Sequence, residues 1–206
     1  SSLITSGQRC SCAQRIIINK NFSHIIPKLV NEIKKIKINP FPSDKPTFMG
    51  PIVLNHVKTE LLNKNYQNSE TLLKSINLGP GGLVSPRVEL TNAIYDQEIF
   101  GPIIFISIAK NLEEAIQMAN KTKYGLTSSI YTKSKKKFSY ALNNINTGVI
   151  NWNTPTTGAS GFAPFGGIKE SGNYRPAGFN MIDHCVIPIA STQKNMPDEL
   201  NLEGLS

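Results

Sequence analysis

The chain has 206 residues, 39% hydrophobic and 17% charged, a balance that suits a folded domain with a real core. The formal net charge is +8, but the lysines fall in separate clusters, around positions 34–37 and 133–137, with no interleaved aromatics, which argues against a nucleic-acid partner. No apolar run approaches the roughly 18–20 residues of a membrane span, nothing at the start reads as a signal peptide, and three cysteines are too few and odd in number for a disulfide framework, so a reducing, cytoplasmic setting is expected.

Along the chain, strand and helix patterns alternate. Residues 15–18 read as a short buried strand, and Ser23 is placed to cap a helix with Ile26, Leu29, Val30 and Ile33 on one face. Pro27 is tolerated in that first turn. The passage NPFPSDKPTFMGP predicts a loop, and Leu54, Val57, Leu61 and Leu62 a second helix. GPGGLVSP predicts a turn leading into a strand over 87–90, and 102–108 a buried strand. Asn111 with Glu114 predicts a helix start, with Leu112, Ala115, Ile116 and Ala119 as its stripe, Lys121 and Lys123 at its negative end, and Gly125 at its exit. A strand over 128–132, a helix opened by Ser134 and a strand over 149–152 follow. Single helices between strands imply crossovers, hence an α/β fold with a mainly parallel sheet. Residues after about Ser191 read as a polar tail.

Cys10 sits in the stretch SSLITSGQRCSCAQR near the start. A thiol attacks as its thiolate, and the neighbouring Arg9 together with a nearby helix end would favour that form. Gly7 allows close backbone approach. The residues alone leave open a small buried cysteine with no chemical role. A metal pair of Cys10 and Cys12 lacks ligands at standard spacing, since Cys185, His24, His56 and His184 are scattered. No histidine stands in a context that suggests a Cys–His hydrolase. GPGG at 79–82 lacks the Lys-Ser/Thr pair and following helix of a phosphate loop.

Several motifs occur in order. Gly7-Gln8-Arg9-Cys10 resembles the nucleophile motif of the aldehyde dehydrogenase superfamily, and Glu98-Ile99-Phe100-Gly101-Pro102 its cofactor-facing motif. NKTKYGL at 120–126, Phe48-Met49-Gly50-Pro51 and PFGGIKESG at 164–172 are similar to further landmarks of that superfamily, so the resemblance covers roughly positions 5–191. QRCSCAQR, NWNTPTTGAS, SGNYRP and DHCVIPIAS resemble a branch that oxidises a semialdehyde carrying two carboxylates in arginine degradation.

The resemblance implies roles. Cys10 would attack the aldehyde carbon, with its backbone N–H stabilising the oxyanion; Glu98 would hold the nicotinamide ribose and Phe100 would pack beside the cofactor. Phe165 would line the substrate entrance, and Arg9 and Arg175 are candidate carboxylate partners, with structural ion pairing or backbone bracing as the plain alternative for both arginines. Asn151 and Trp152 would lie near the active-site end of their strand. The cofactor implied is NAD, with NADP not excluded. The substrate would be a small-molecule aldehyde, and no metal is implied. The domain reading is catalytic over 1–183, then an oligomerisation strand near 186–190 and the tail over 184–206, which implies a homo-oligomer.

In that superfamily a nucleotide-binding domain, the general-base glutamate and the oxyanion-hole asparagine all precede the cysteine. The first residues, SSLIT, read as the end of a helix. The expectation is therefore a C-terminal catalytic part that alone lacks most cofactor contacts and turns over poorly. Competing readings are a catalytically incompetent remnant, an assembly partner for a separately encoded N-terminal half, and a basic nucleic-acid binder.

Overall fold

The computed structural model describes residues 1–196; the end of the expected polar tail lies outside the described residues. Its elements run β1 (Arg15–Asn19), α1 (Ile26–Lys34), α2 (Asn55–Asn63), β2 (Glu70–Leu73), β3 (Arg87–Leu90), β4 (Ile103–Ala109), α3 (Leu112–Asn120), β5 (Thr127–Ile130), α4 (Lys135–Asn144), β6 (Val149–Trp152), β7 (Pro164–Phe165), β8 (Ala177–Gly178) and α5 (Met181–His184). The α/β class expected from the sequence is what the chain forms, but its strands divide into three sheets. The largest has the order β1-β4-β3-β2; β5 and β6 form a parallel pair, and β7 and β8 a short antiparallel one.

β4 explains the core. Both of its faces are covered, so the near-continuous apolar run IIFISIA is a physical requirement. Because side chains alternate across a strand, Ile104 and Ile106 enter a cluster with Ile18, Ile26, Val30, Ile33 and Met49. Ile103 and Phe105 enter the opposite cluster with Ile52, Val57, Leu61 and Tyr66. β1 and β3 flank β4, both parallel to it, and β2 closes the far edge antiparallel to β3 with a register irregularity between Thr71 and Leu73.

Helix starts follow their capping residues where these exist. Asn111 Oδ1 accepts from the Glu114 N–H at 2.8 Å and Glu114 returns a bond to the Lys110 N–H, so α3 begins with a reciprocal cap. Ser134 Oγ accepts from the Lys137 N–H and opens α4. Ser23 does not cap α1: residues 20–25 form a 3-10 helix, Ser23 Oγ donates back to the Lys20 carbonyl, and α1 starts at Ile26 with Pro27 in its first turn. Lys169 brings a positive charge to the end of α3, where Lys121 is the C-cap residue, and donates from Nζ to the carbonyls of Asn120 and Thr122 at 2.9 Å each. Lys123 pairs with Glu170 instead, at 3.2 Å.

A further expectation is corrected. Residues 1–5 do not end a helix; a 3-10 turn spans Ile4–Gly7, with Thr5 and Ser6 in the left-handed region. Residues 186–190 form no strand. A strand needs a ladder partner, none is present within the described residues, and Val186, Ile187 and Ile189 are exposed. No helix among the described residues is long and apolar enough to cross a membrane.

One buried ion pair interrupts the apolar core. Arg87 Nε meets Glu89 Oε1 at 2.7 Å, with Glu89 fully buried. Ser69 and Thr71 hydroxyls donate to the same carboxylate, Arg87 Nη1 donates to the Leu61 carbonyl at 2.9 Å, and the guanidinium lies 4.8 Å from the Tyr66 ring centroid. Every partner is needed at this depth, since a lone charge there is costly. Glu89→Ala is expected to lower unfolding stability by about 3–5 kcal/mol, read as a lower urea midpoint at unchanged slope. The joint exchange Arg87→Met with Glu89→Leu is expected to cost far less; an equal loss would contradict the pairing argument.

Candidate active site

The site forms where β1 and β4 begin. Parallel pairing places Arg15 opposite Phe105, and the Phe105 N–H donates to the Gln14 carbonyl at 2.8 Å. The segments leading into the two strands, 7–14 and 98–102, therefore run side by side. Gly7 has φ +72°, and a Cβ there would stand 2.2 Å from the Gly101 carbonyl oxygen. Only glycine permits this approach. Gln14 Nε2 donates to the Ile99 carbonyl, directly between Glu98 and Phe100.

The FMGP segment braces the same loop. Ser6 Oγ donates to the Gly50 carbonyl at 2.8 Å. The Gln8 amide donates to the Pro51 carbonyl at 3.3 Å and accepts from the Val53 N–H at 2.9 Å. With a further bond from its amide to the Thr5 carbonyl at 3.3 Å, Gln8 fixes three backbone groups with one side chain. Cys10 follows in a turn and is exposed, whereas Cys12 is half-buried with its sulfur 3.5 Å from the Ile4 carbonyl. The 3-10 turn ends before Cys10 and a strand follows it, so no helix N-terminus points at the sulfur, contrary to the expectation of a helix end there.

Arg9 is exposed and donates from Nε to Thr5 Oγ1 at 2.8 Å, within its own loop. Glu98 is exposed as a whole, but partial burial of its carboxyl pushes it above the usual carboxylate range. Phe100 is half-buried beside it. The loop bearing Arg9 and Cys10 and the segment bearing Glu98 and Phe100 are thus joined through Gly7–Gly101 and Gln14–Ile99.

Phe165 and Arg175 form a second group. Phe165 pairs with Ala177 across β7 and β8, and a Cβ on Gly166 would stand 2.6 Å from Arg175 Cγ, so the arginine stem covers that glycine. Arg175 itself has φ +52° and Tyr174 φ +59°, a strained pair of left-handed residues. Among the described hydrogen bonds and ion pairs, none joins Arg175 to the Cys10 loop. Lys169, Ser171 and Glu170 in the following turn bind the 120–125 segment: Gly125 N–H donates to Ser171 Oγ at 3.2 Å, and Ile168 N–H to the Gly125 carbonyl at 3.0 Å. PFGGIKESG and NKTKYGL are two sides of one clasp.

A cleft of about 520 Å³ opens between the end of β6 and the loop before β7, lined among others by Asn151, Thr154, Thr157, Ser160 and Pro164. Asn151, near the end of β6, is one of its lining residues. Trp152 is structural: its Nε1 donates to the Thr132 carbonyl at 2.8 Å and its ring stacks on Phe138 at 4.9 Å. The cleft wall reaches the cysteine loop through Thr156, whose Oγ1 donates to the Ser11 carbonyl at 2.7 Å. Neither Gln14 nor Thr156 was singled out by the sequence. Gln14 lies outside the quoted nucleophile motif, and Thr156 lies among similar threonines 145 positions from its partner.

Comparison with known proteins gives a consistent result. Residues 1–187 match the family model described as the aldehyde dehydrogenase family. The chain is 37% identical over 204 residues to an N-succinylglutamate 5-semialdehyde dehydrogenase of Legionella pneumophila (strain Corby), covering 94% of this chain and 41% of the relative. Proline utilization A from Bdellovibrio bacteriovorus, inactivated by N-propargylglycine, superposes with TM-score 0.78 at 30% identity over 86% of this chain and 19% of that one. A 1-pyrroline-5-carboxylate dehydrogenase from Thermus with bound NAD gives TM-score 0.76 at 27% identity, over 84% of this chain and 35% of that one. The chain therefore spans about two fifths of the length of the curated relatives it matches.

The two cysteines of the loop are expected to differ in reactivity. Burial pushes the Cys12 thiol up, outweighing the backbone hydrogen bond and the positive charges that act the other way. A raised value means less thiolate at a given pH. With iodoacetamide, Cys12 is expected to label slowly near neutrality, its rate still climbing with pH where an ordinary thiol near 8.5 has levelled off. Fragment-ion mapping of the labelled chain measures this; a Cys12 profile that levels off with ordinary thiols would contradict the burial argument.

Proposed function

The chain belongs to the aldehyde dehydrogenase family, and from that premise we propose that it carries the cysteine-bearing part of an NAD(P)-linked enzyme that oxidises an aldehyde to a carboxylate. The observation that carries the reading is the close approach of Gly7 to Gly101, which brings the loop bearing Cys10 against the segment bearing Glu98 and Phe100.

In this reading the Cys10 thiolate adds to the aldehyde carbon and forms a thiohemiacetal. Loss of hydride leaves a thioester on the same sulfur, and water releases the carboxylate. The turn at 7–12, pinned by Ser6 and Gln8, holds the sulfur and its own N–H in fixed relation to the carbonyl oxygen that gains charge. NAD, when bound, supplies the hydride acceptor. The residues present fit such a cofactor: Glu98 offers a carboxyl suited to a ribose diol, and Phe100, two residues on and half-buried, offers an apolar surface.

The substrate we propose is a dicarboxylic semialdehyde of the N-succinylglutamate type. This rests on the name of the relatives at 37% identity and on the cleft that Thr156 links to the cysteine loop. Phe165 adjoins the cleft through its neighbour Pro164 and would stand at the entrance. Arg9, with an exposed guanidinium, and Arg175 are the proposed carboxylate partners. The exposed apolar residues Phe179, Met181, Ile182, Val186, Ile187 and Ile189 support assembly with a second copy, which would cover them.

In a full-length enzyme carrying this sequence, Cys10→Ser is expected to lower aldehyde oxidation by about a thousandfold or more. Glu98→Gln is expected to raise KM for NAD about tenfold with KM for the aldehyde unchanged. Steady-state kinetics of the two variants test the assignment, and retained turnover in Cys10→Ser would sink it.

A further inference from the structure

We propose that Thr156 is a positioning residue that holds the cleft wall at a fixed offset from Cys10, and thereby selects long aldehydes with a polar far end over short ones. The inference rests on the aldehyde-oxidising reading above and deepens it.

Thr156 stands between Pro155 and Thr157, both of which line the cleft, yet its own side chain turns away from it. It is 8% exposed and donates to the carbonyl of Ser11, the residue after Cys10, at 2.7 Å. The root of its loop belongs to the β5–β6 sheet. Asn151 Nδ2 donates to the Pro155 carbonyl at 2.7 Å, and Ser129 Oγ donates to the Thr154 carbonyl. Asn153, at φ +53°, brackets Thr132 through its carbonyl at 3.0 Å and its N–H at 2.8 Å. Ser11, by contrast, belongs to the loop that enters β1 and the four-stranded sheet. The Thr156–Ser11 bond therefore ties the wall carried by one sheet to the sulfur carried by another.

The wall suits a polar ligand end. The polar residues Thr157 and Ser160 line it, and Gly158, at φ +92° with no heavy atom within 4 Å of a Cβ position, leaves backbone open. A long aldehyde held there has two fixed points, its far end in the cleft and its carbonyl carbon at Cys10. The offset between those points then decides whether the carbon reaches the sulfur at bonding geometry, and errors near 1 Å are costly. A short aldehyde has only the second point and does not sense the offset.

The test compares wild type, Thr156→Val, Thr156→Ala, Thr156→Ser and Cys10→Ser in the full-length enzyme, each with N-succinylglutamate 5-semialdehyde and with acetaldehyde. Thr156→Val is expected to lower kcat/KM for the long substrate roughly tenfold, with acetaldehyde within about twofold and KM for NAD unchanged. Thr156→Ser, which keeps the hydroxyl, is expected to restore the long-substrate value. If Thr156→Val does not fold, Thr156→Ala carries the same comparison. Equal loss on both aldehydes, no loss on either, or a serine variant as impaired as valine would overturn the inference. Turnover that survives Cys10→Ser is a different outcome: it overturns the aldehyde-oxidising reading, and this inference with it.

Discussion

The parallel pairing of β1 with β4 is the constraint on which the site depends. Two strands that run the same way must also begin at the same end. The chain reaches β1 through the cysteine loop and β4 through Glu98-Ile99-Phe100-Gly101-Pro102, so hydrogen-bonding the strands brings the loops together. The pairing is in turn enforced by burial. β4 has apolar neighbours on both faces, and a one-residue slip would exchange Ile104 and Ile106 with Ile103 and Phe105 between two differently shaped clusters. The position of an exposed sulfur is thus fixed by the packing of buried isoleucines.

Around that frame, the polar side chains of the family-like motifs do unequal work. Gln8 engages backbone on either side of Ile52, and Ser6 engages Gly50. These bonds hold a loop in which Thr5, Ser6 and Gly7 all have positive φ, a conformation that would relax without them. PFGGIKESG has a different task. Its lysine and serine clasp the end of α3 and the Gly125 turn, and in doing so they place the chain that returns through β8. The site joins two subassemblies, one built on β4 and one on the β5–β6 pair.

Much of this was legible in the sequence where a local signal had a local cause. The caps at Asn111 and Ser134 and the strands at 15–18, 102–108 and 149–152 required only periodicity or a single side chain. β2 was missed because Glu70-Thr71-Leu72-Leu73 is short, lies at an edge and carries an irregular register, so no alternation marks it. Residues 186–190 look like a strand because β-branched and apolar residues favour one, but a strand is completed by a partner outside its own sequence. The motifs located Cys10, Glu98 and Phe100 as candidates. They did not reveal how those residues meet, because the contacts concerned, Gly7 with Gly101 and Gln14 with Ile99, span 85 positions or more. The same distance hid Thr156.

The packing at Gly7 has one more consequence. With its backbone already touching Gly101, the cysteine loop has no room to retreat inward. Anything that becomes attached to the exposed Cys10 sulfur must extend outward, toward solvent. A spectroscopic tag on that atom would therefore sample the mouth of the site and leave the interior beneath it undisturbed.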